Sequence, residues 1–232
     1  MRGTISIARL SILALIMGAC VAILAQGARA AAPPWPDTLT TRLEAEALIE
    51  TLDADFLATR SATLTLESWC ATHHLSGAQP AKILAKLDRS VDKPASPEQR
   101  ARLAVGPDEP IKFRHVLLAC GDTVLSIADN WYVPSRLTPE MNKLLETTET
   151  PFGKAVMALH FYRQNFEAKI LWHPLPEGWE TKPLPKFPGG ALAIPAELFE
   201  HRALLFTGAR VPFSEVREVY QRALLGFPPP RR

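Results

Sequence analysis

Two runs of mainly apolar residues flank the short segment Gly121-Asp122. The first run, residues 111–120, reads IKFRHVLLAC, and the second, residues 124–133, reads VLSIADNWYV. A connection of two or three residues that contains glycine is typical of two antiparallel strands. Pro134 ends the second run, because proline has no N–H to donate to a neighbouring strand. The pattern predicts a β-hairpin, so the fold must include an antiparallel sheet.

Four further segments are predicted as strands. Residues 62–70, ATLTLESWC, alternate apolar with polar side chains before the hairpin, as a half-exposed strand does. Residues 159–171 follow it, and residues 202–207 and 212–222 are joined by the turn at 208–210. Together with the hairpin these segments make about six strands.

Helices are predicted between the strands. Residues 40–58 carry apolar side chains at helical spacing. Ser96-Pro97-Glu98-Gln99 has the order of an N-cap, a first-turn proline and a capping-box glutamine. Threonine followed by proline opens two more helices, at residues 138–147 and 150–157, while the proline-rich residues 173–195 read as a long surface loop. Grouped helices and hairpin-joined strands predict an α+β fold, with one antiparallel sheet and helices on one face.

The N-terminus has the pattern of a secretory signal peptide. Arg2 and Arg9 accompany an apolar run at residues 10–25, and Ala28-Arg29-Ala30 supplies small residues before a cleavage point. We therefore expect a periplasmic protein. Two alternatives stay open: an uncleaved anchor, since about sixteen apolar residues nearly span a bilayer, and a lipoprotein signal that uses Cys20.

Cleavage after Ala30 would leave 23 Lys+Arg against 24 Asp+Glu, a formal net charge of −1. That charge does not indicate a nucleic-acid partner, and membrane contact is expected only through the signal peptide during export. The expected organisation is a signal peptide at 1–30, an N-terminal segment and helix at 31–60, one domain at 61–226 and a loose tail at 227–232, as a monomer.

Cys70 and Cys120 would then lie in an oxidising compartment, where they either pair or remain two buried thiols. The sequence has no C-x-x-C or Cys/His spacing for a metal. It also lacks the G-x-S-x-G, phosphate-loop and dinucleotide patterns, so neither a metal nor a cofactor is expected.

Four segments, in this order, resemble the chorismate lyase family: FRHVLLACGD at 113–122, WYVP at 131–134, TPFG at 150–153 and PFSEVREVY at 212–220. The resemblance covers residues 64–225. That family converts chorismate to 4-hydroxybenzoate and pyruvate, and ligand-sensing domains of some transcription regulators share its fold. The resemblance implies a small aromatic or cyclic carboxylic acid as the ligand.

The resemblance also implies four site residues. Arg114 would hold a substrate carboxylate through two parallel hydrogen bonds. The main chain at Phe152, in the first turn of a helix, would bind another. Glu218 shares a strand face with Val216 and Tyr220, and burial among apolar residues would keep it protonated as the proton donor. Trp69 would supply a main-chain contact, although core packing is its alternative role.

Two features depart from the family pattern. The family commonly has an arginine near the end of the strand before V-P, where this chain has Asp129-Asn130-Trp131, so Arg136 or Arg163 would have to replace it. The signal peptide is the second departure. Three hypotheses follow: a periplasmic chorismate lyase, a non-catalytic periplasmic module that binds an aromatic acid, and an envelope protein that binds a partner through its tryptophan- and proline-rich loops. The candidates for that partner surface are Trp35, Trp172 and Trp179, which lie in or beside proline-rich segments.

Overall fold

The computed structural model describes residues 34–59, 61–77 and 80–230, so the predicted signal peptide and Cys20 lie outside the described residues. The helices are α1 (Leu39–Ala58), α2 (Ala62–Thr72), α3 (Pro97–Arg102), α4 (Pro139–Thr147) and α5 (Phe152–Ala155). The strands are β1 (Ile83–Leu87), β2 (Lys112–Cys120), β3 (Thr123–Tyr132), β4 (Tyr162–Ile170), β5 (Glu197–Phe206) and β6 (Pro212–Gln221). Among the residues described, none of the helices is both long and apolar enough to cross a membrane.

The six strands form one sheet in the order β1-β2-β3-β6-β5-β4, and every neighbouring pair is antiparallel. The predicted hairpin is β2–β3, and Gly121 adopts a positive φ of 59° in its turn, which glycine tolerates without steric cost. The second predicted hairpin is β5–β6, and its strand β6 lies beside β3 at the centre of the sheet. The α+β fold with a six-stranded antiparallel sheet is therefore confirmed.

Residues 62–70 are helical and not a strand. They belong to α2, whose buried residues Ala62, Thr63, Leu66 and Cys70 recur every three or four positions and so line one face of a helix. The alternation of Thr and Leu fits the two-residue period of a strand as well as the period of a helix. Packing of the buried face against the core favours the helix. The sixth strand is the short β1, which the sequence pattern missed.

The predicted helix starts are mostly correct. The capping box is present: Ser96 Oγ accepts from Gln99 N at 3.2 Å, and Gln99 Oε1 accepts from Ser96 N at 2.9 Å. Thr138 Oγ1 caps α4 through Met141 N. The cap predicted at Thr150 is wrong, because α5 begins after Pro151 without a side-chain cap and spans only four residues.

The inner face of the sheet is the one that carries Arg114, Asn130, Val216 and Glu218. Helices α1 and α2 pack over one end of it, where the centroid of the Tyr220 ring lies 4.2 Å from that of Phe56 and 4.5 Å from that of Phe199. Helices α4 and α5 cover the other end. A disulfide between Cys70 and Cys120 joins α2 to β2 and settles the open question of their pairing.

The outer face carries Asp129, Trp131, Glu215 and Arg217. The short helix α3 lies over it, since Gln99 and Arg102 both bond Glu215. Four helices thus cover the inner face, as predicted, and α3 is an addition on the outer one.

Two of the tryptophans that were candidates for a partner surface are instead built into the fold. Trp35 is buried, and its Nε1 donates to the carbonyls of Leu225 and Phe227. Trp172 packs partly buried against the inner core, whereas Trp179 is 41% exposed. Phe227, which opens the tail predicted to be loose, contacts Trp35 at 5.8 Å between ring centroids.

Candidate functional site

A cavity lies on the inner face between the sheet and helices α2 and α5. Its volume is about 40 Å³. The apolar part of its wall comes from Ala62, Val116, Leu118, Ala128, Phe152, Phe161, Leu205 and Val216, and the polar part from Ser61, Thr63, Asn130, Arg163 and Glu218. Two of the four residues that the resemblance implies, Phe152 and Glu218, therefore line one cavity.

Glu218 lies on the predicted face of β6, opposite Ala128 of β3 and His201 of β5. Its surroundings are not purely apolar, however, and that expectation is wrong. Arg163 Nη1 lies 2.7 Å from Glu218 Oε2, and Tyr220 donates its hydroxyl to the same oxygen at 3.3 Å. Burial, followed by the charge of Glu218, raises the pKa of Tyr220 well above its usual value, so the phenol stays a neutral donor.

Arg163 enters the cavity from the edge strand β4, and its side chain is only 5% exposed. Burial is the largest influence on the pKa of Arg163 and lowers it, but the charge of Glu218, the nearby Tyr220 and the hydrogen bond to Glu218 together raise the pKa above its usual value. Arg163 Nε donates to Asn165 Oδ1 at 2.8 Å. Arg163 Nη2 is buried and has no hydrogen-bond partner among the described residues. One arm of a charged guanidinium is therefore left without an acceptor beside the cavity.

Arg114 lies on the inner face of β2 and is 3% exposed. Its side chain lines a neighbouring surface cleft with Tyr132 and Arg89. Arg114 Nη2 donates to the carbonyls of Thr148, at 3.3 Å, and Thr150, at 3.0 Å, so it fastens the α4–α5 loop. Within the described part of the chain its Nε and Nη1 have no partner.

Burial lowers the pKa of Arg114 to about 10, against an opposing contribution from Tyr132. In the same cleft, burial raises the pKa of Tyr132 to about 12. At neutral pH Arg114 is therefore a buried cation beside a neutral phenol. The structure does not bring it into the cavity that holds Phe152 and Glu218.

Phe152 and Trp69 have different surroundings. Phe152 is buried at the start of α5, where its ring lies 5.7 Å from that of Tyr132 and forms part of the cavity wall. Trp69 lies on α2, not on a strand. Its Nε1 donates to the carbonyl of Leu224 at 2.9 Å, and its ring lies 4.0 Å from His73, away from both concavities. The structure gives Trp69 the packing role that was its alternative.

Of the two arginines considered as replacements, only Arg163 lies at the cavity. Arg136 donates to the carbonyls of Leu103, Ala104 and Pro212 and so holds loops together. From the sequence, Arg163 is expected only as a replacement for the missing arginine, because its ion pair with Glu218 joins residues that are far apart in the chain. No local signal placed Arg163 on the inner face, because the apolar Tyr162 and Phe166, which alternate with it along β4, are the exposed residues.

A group of possible metal ligands lies outside the cavity. Glu46, Glu50 and His173 bring their ligand atoms within 4.8 Å of one another. His173 Nδ1 lies 3.3 Å from Glu46 Oε1, and Glu50 and His173 are exposed, so ordinary solvated ion pairing accounts for the group.

No protein-family model matches this sequence. Among solved structures, the effector domain of PhnF from Mycobacterium smegmatis is similar at 15% identity, over 69% of this chain and 88% of that one, with a TM-score of 0.42. A possible transcriptional regulator, YydK from Bacillus subtilis, is similar at 16% identity, over 77% and 86%, with a TM-score of 0.39. Both scores lie below 0.5, so the likeness assigns neither a ligand nor an activity to this chain.

A much stronger match is to the uncharacterized protein y4mC of Sinorhizobium fredii. It is 52% identical over 198 residues, which are 84% of this chain and 83% of that protein. At that identity and coverage, the chain belongs to the same protein family as y4mC.

Proposed function

We propose that the protein is a small-molecule binding module whose inner cavity receives the carboxylate of an organic acid. The observation that carries the proposal is Arg163, a buried guanidinium with an unused Nη2 beside an otherwise mostly apolar cavity. A buried donor without an acceptor costs about 1–3 kcal/mol, and more when it is charged. A carboxylate oxygen placed against Nη2 would remove that cost and form a charge-assisted hydrogen bond.

Asn130 supports the same assignment. It is 2% exposed, lies on the inner face of β3 and lines the cavity, and its side-chain amide makes no hydrogen bond to the rest of the described chain. An amide offers two donors and one acceptor. A ligand oxygen between Arg163 and Asn130 would thus find donors on two strands, while the apolar wall excludes water.

Glu218 limits the strength of such a site. Its carboxylate already pairs with Arg163, so a ligand carboxylate competes with it for one guanidinium and is repelled by its charge. Glu218→Gln keeps the size of the side chain and removes the charge. This substitution should therefore raise the affinity for a carboxylate, by about tenfold for one charged contact of ~1.4 kcal/mol.

The test is calorimetric titration of wild type and Glu218→Gln with benzoate at pH 7. The proposal predicts saturable binding that is tighter in the variant. Benzamide, which has the same ring without the charge, is the matched control and should bind the two proteins alike. An absence of binding in both proteins, or equal affinity for benzoate, would contradict the assignment.

A second candidate is chorismate lyase activity, and the shared cavity of Phe152 and Glu218 favours it. In that reaction Glu218 would give a proton to the ether oxygen as the enolpyruvyl group leaves. The two candidates predict opposite results for Glu218→Gln. An enzyme would form 4-hydroxybenzoate from chorismate, seen by its absorbance, and the variant would lose kcat; the binding module shows no turnover and gains affinity.

We also propose that the protein acts in the periplasm. The disulfide between Cys70 and Cys120 supports this location, since disulfides persist in oxidising compartments and are rare in the cytosol. The N-terminal pattern supports it as well. Mass spectrometry of the protein from a periplasmic extract should find a chain that begins at Ala31 and carries no free thiol. A full-length, reduced chain in the cytosolic fraction would contradict the proposal.

A further inference from the structure

We infer that the ligand is an acid with an unbranched apolar chain, whose carboxylate enters the cavity while the chain lies in a groove outside it. This inference rests on the proposed function and adds the chemical class of the ligand. The outer groove is lined by Ser61, Leu64, Gly153, Met157, His160 and Phe161 and has a volume of about 250 Å³.

The cavity and the outer groove adjoin each other. Ser61, Gly153 and Phe161 line both. Gly153 lies where the two spaces meet, and a methyl group added to it would contact Phe161 Cζ and Ser61 Oγ, each at 3.7 Å. Glycine leaves this space free, and the passage inferred between the cavity and the outer groove runs through it.

The cavity and the outer groove differ in volume, and each would hold a different part of the ligand. About 40 Å³ is room for roughly three water molecules, since each needs about 10–15 Å³ on this measure. A carboxylate fits that space, whereas the whole of a long-chain acid does not. The chain of a long acid held by Arg163 would therefore extend past Gly153 into the outer groove.

The outer groove is suited to an apolar chain. Leu64 and Met157 are 52% and 54% exposed, and they are the two most exposed of the large apolar side chains in the described part of the protein. They flank the same groove, and adjoining exposed apolar side chains mark a binding surface more often than scattered ones do. Apart from Ser61 and His160 the lining offers no polar side chain, so the groove would bind the chain by burial.

The test is calorimetry with acetate, hexanoate and decanoate, below the concentration at which decanoate forms micelles. Each methylene that is fully buried contributes about fourfold in affinity, at about 0.8 kcal/mol per CH₂. Because the groove is half open, we expect about twofold per methylene and a decanoate-to-acetate affinity ratio above 100.

Two variants test the path. Gly153→Ala narrows the passage and Leu64→Gln makes the groove polar, and each should lower the decanoate-to-acetate ratio at least tenfold. Leu184→Gln is the matched control, since Leu184 is 38% exposed in the proline-rich loop and should leave the ratio unchanged. The ratio is unaffected by a fraction of unfolded protein, which would weaken both acids alike.

The outcomes separate this inference from the proposed function. If short acids bind but chain length has no effect, or if the two groove variants keep the wild-type ratio, the inference is wrong and the carboxylate site stands. If none of the three acids binds wild type, the carboxylate site itself is wrong.

Discussion

Charged side chains are paired differently on the two faces of the sheet. On the outer face, the buried Glu215 accepts from Arg102, Arg202 and Gln99, at 2.8 to 3.2 Å. On the inner face, Arg163 has one carboxylate partner and an unused nitrogen, and Arg114 has no acidic partner among the described residues. On the outer face, Arg202 also has one buried nitrogen, Nε, without a partner among the described residues, but its other two nitrogens pair with Glu215 and Glu167. On the inner face, Arg163 and Arg114 share a single acidic partner, Glu218, which pairs with Arg163 alone.

The difference separates structural charges from functional ones. Asp129 on the outer face also uses both oxygens, with His115 at 2.6 Å and Lys93 at 2.7 Å. A fully paired carboxylate gains nothing from a ligand. A buried guanidinium with an unused donor does, and so the inner face is where an anion would stabilise the protein.

Removing the disulfide should have the largest effect on stability, and it would act on the inner face. Cys70→Ala with Cys120→Ala frees α2, which forms one wall of the cavity, from β2. The residues are 50 positions apart, and closing a loop of that length stabilises a fold by about 4 kcal/mol. Urea unfolding of the oxidised protein and the double variant measures the loss. A loss below 1 kcal/mol would contradict the prediction.

Glu215→Ala should have the second largest effect on stability, and it tests the outer face. Glu215 is fully buried, and its removal leaves two arginines and a glutamine without their acceptor, at a cost of about 3 kcal/mol. Glu215→Gln, which keeps the shape, should lose less. Urea unfolding measures both, and an unchanged midpoint for Glu215→Ala would show that the outer network is not structural.

Arg114→Met should lower the free energy of unfolding by less than about 1 kcal/mol, although Arg114, like Glu215, is buried. Burial that lowers the pKa of Arg114 to about 10 implies a charge penalty on the order of 3 kcal/mol, which offsets its two hydrogen bonds to carbonyls. Unfolding at pH 7 measures the difference. A loss as large as that of Glu215→Ala would remove the contrast between the faces.

The difference in unfolding free energy between wild type and Arg114→Met should depend on pH. The pKa of Arg114 is lower in the folded than in the unfolded chain, so the penalty is fully present below about pH 10 and is lost as pH rises from there toward 12.5. Wild type should therefore gain stability relative to Arg114→Met above pH 10. A difference that stays constant from pH 8 to 11 would contradict a buried charged Arg114.

Gly153→Ala should have the smallest effect on stability, and in the opposite direction. Gly153 lies within α5, its added methyl meets neighbours at 3.7 Å without a clash, and alanine is favoured over glycine in a helix by about 0.5–1 kcal/mol. The variant should be slightly more stable in urea while it loses affinity for long acids. A destabilised variant would show that Gly153 is kept for packing.

Local signals predicted much of the fold. The β2–β3 hairpin and the capping box of α3 depend on neighbouring residues, so the sequence shows them directly. Residues 62–70 were misassigned because their pattern fits two periods and long-range packing decides. The site was harder for the same reason: alternation placed Glu218 on the correct face, but the pairing with Arg163 depends on the order of β6, β5 and β4 in the sheet.

The most direct measurement compares one arginine from each face in a calorimetric titration with hexanoate. Arg163→Lys keeps the charge but loses the second arm of the guanidinium, whereas Arg217→Lys makes the same change at an outer-face partner of Glu200. Circular dichroism confirms that both variants fold. We expect at least tenfold weaker binding of hexanoate for Arg163→Lys and wild-type affinity for Arg217→Lys. Equal affinity in all three proteins would contradict a carboxylate site at Arg163.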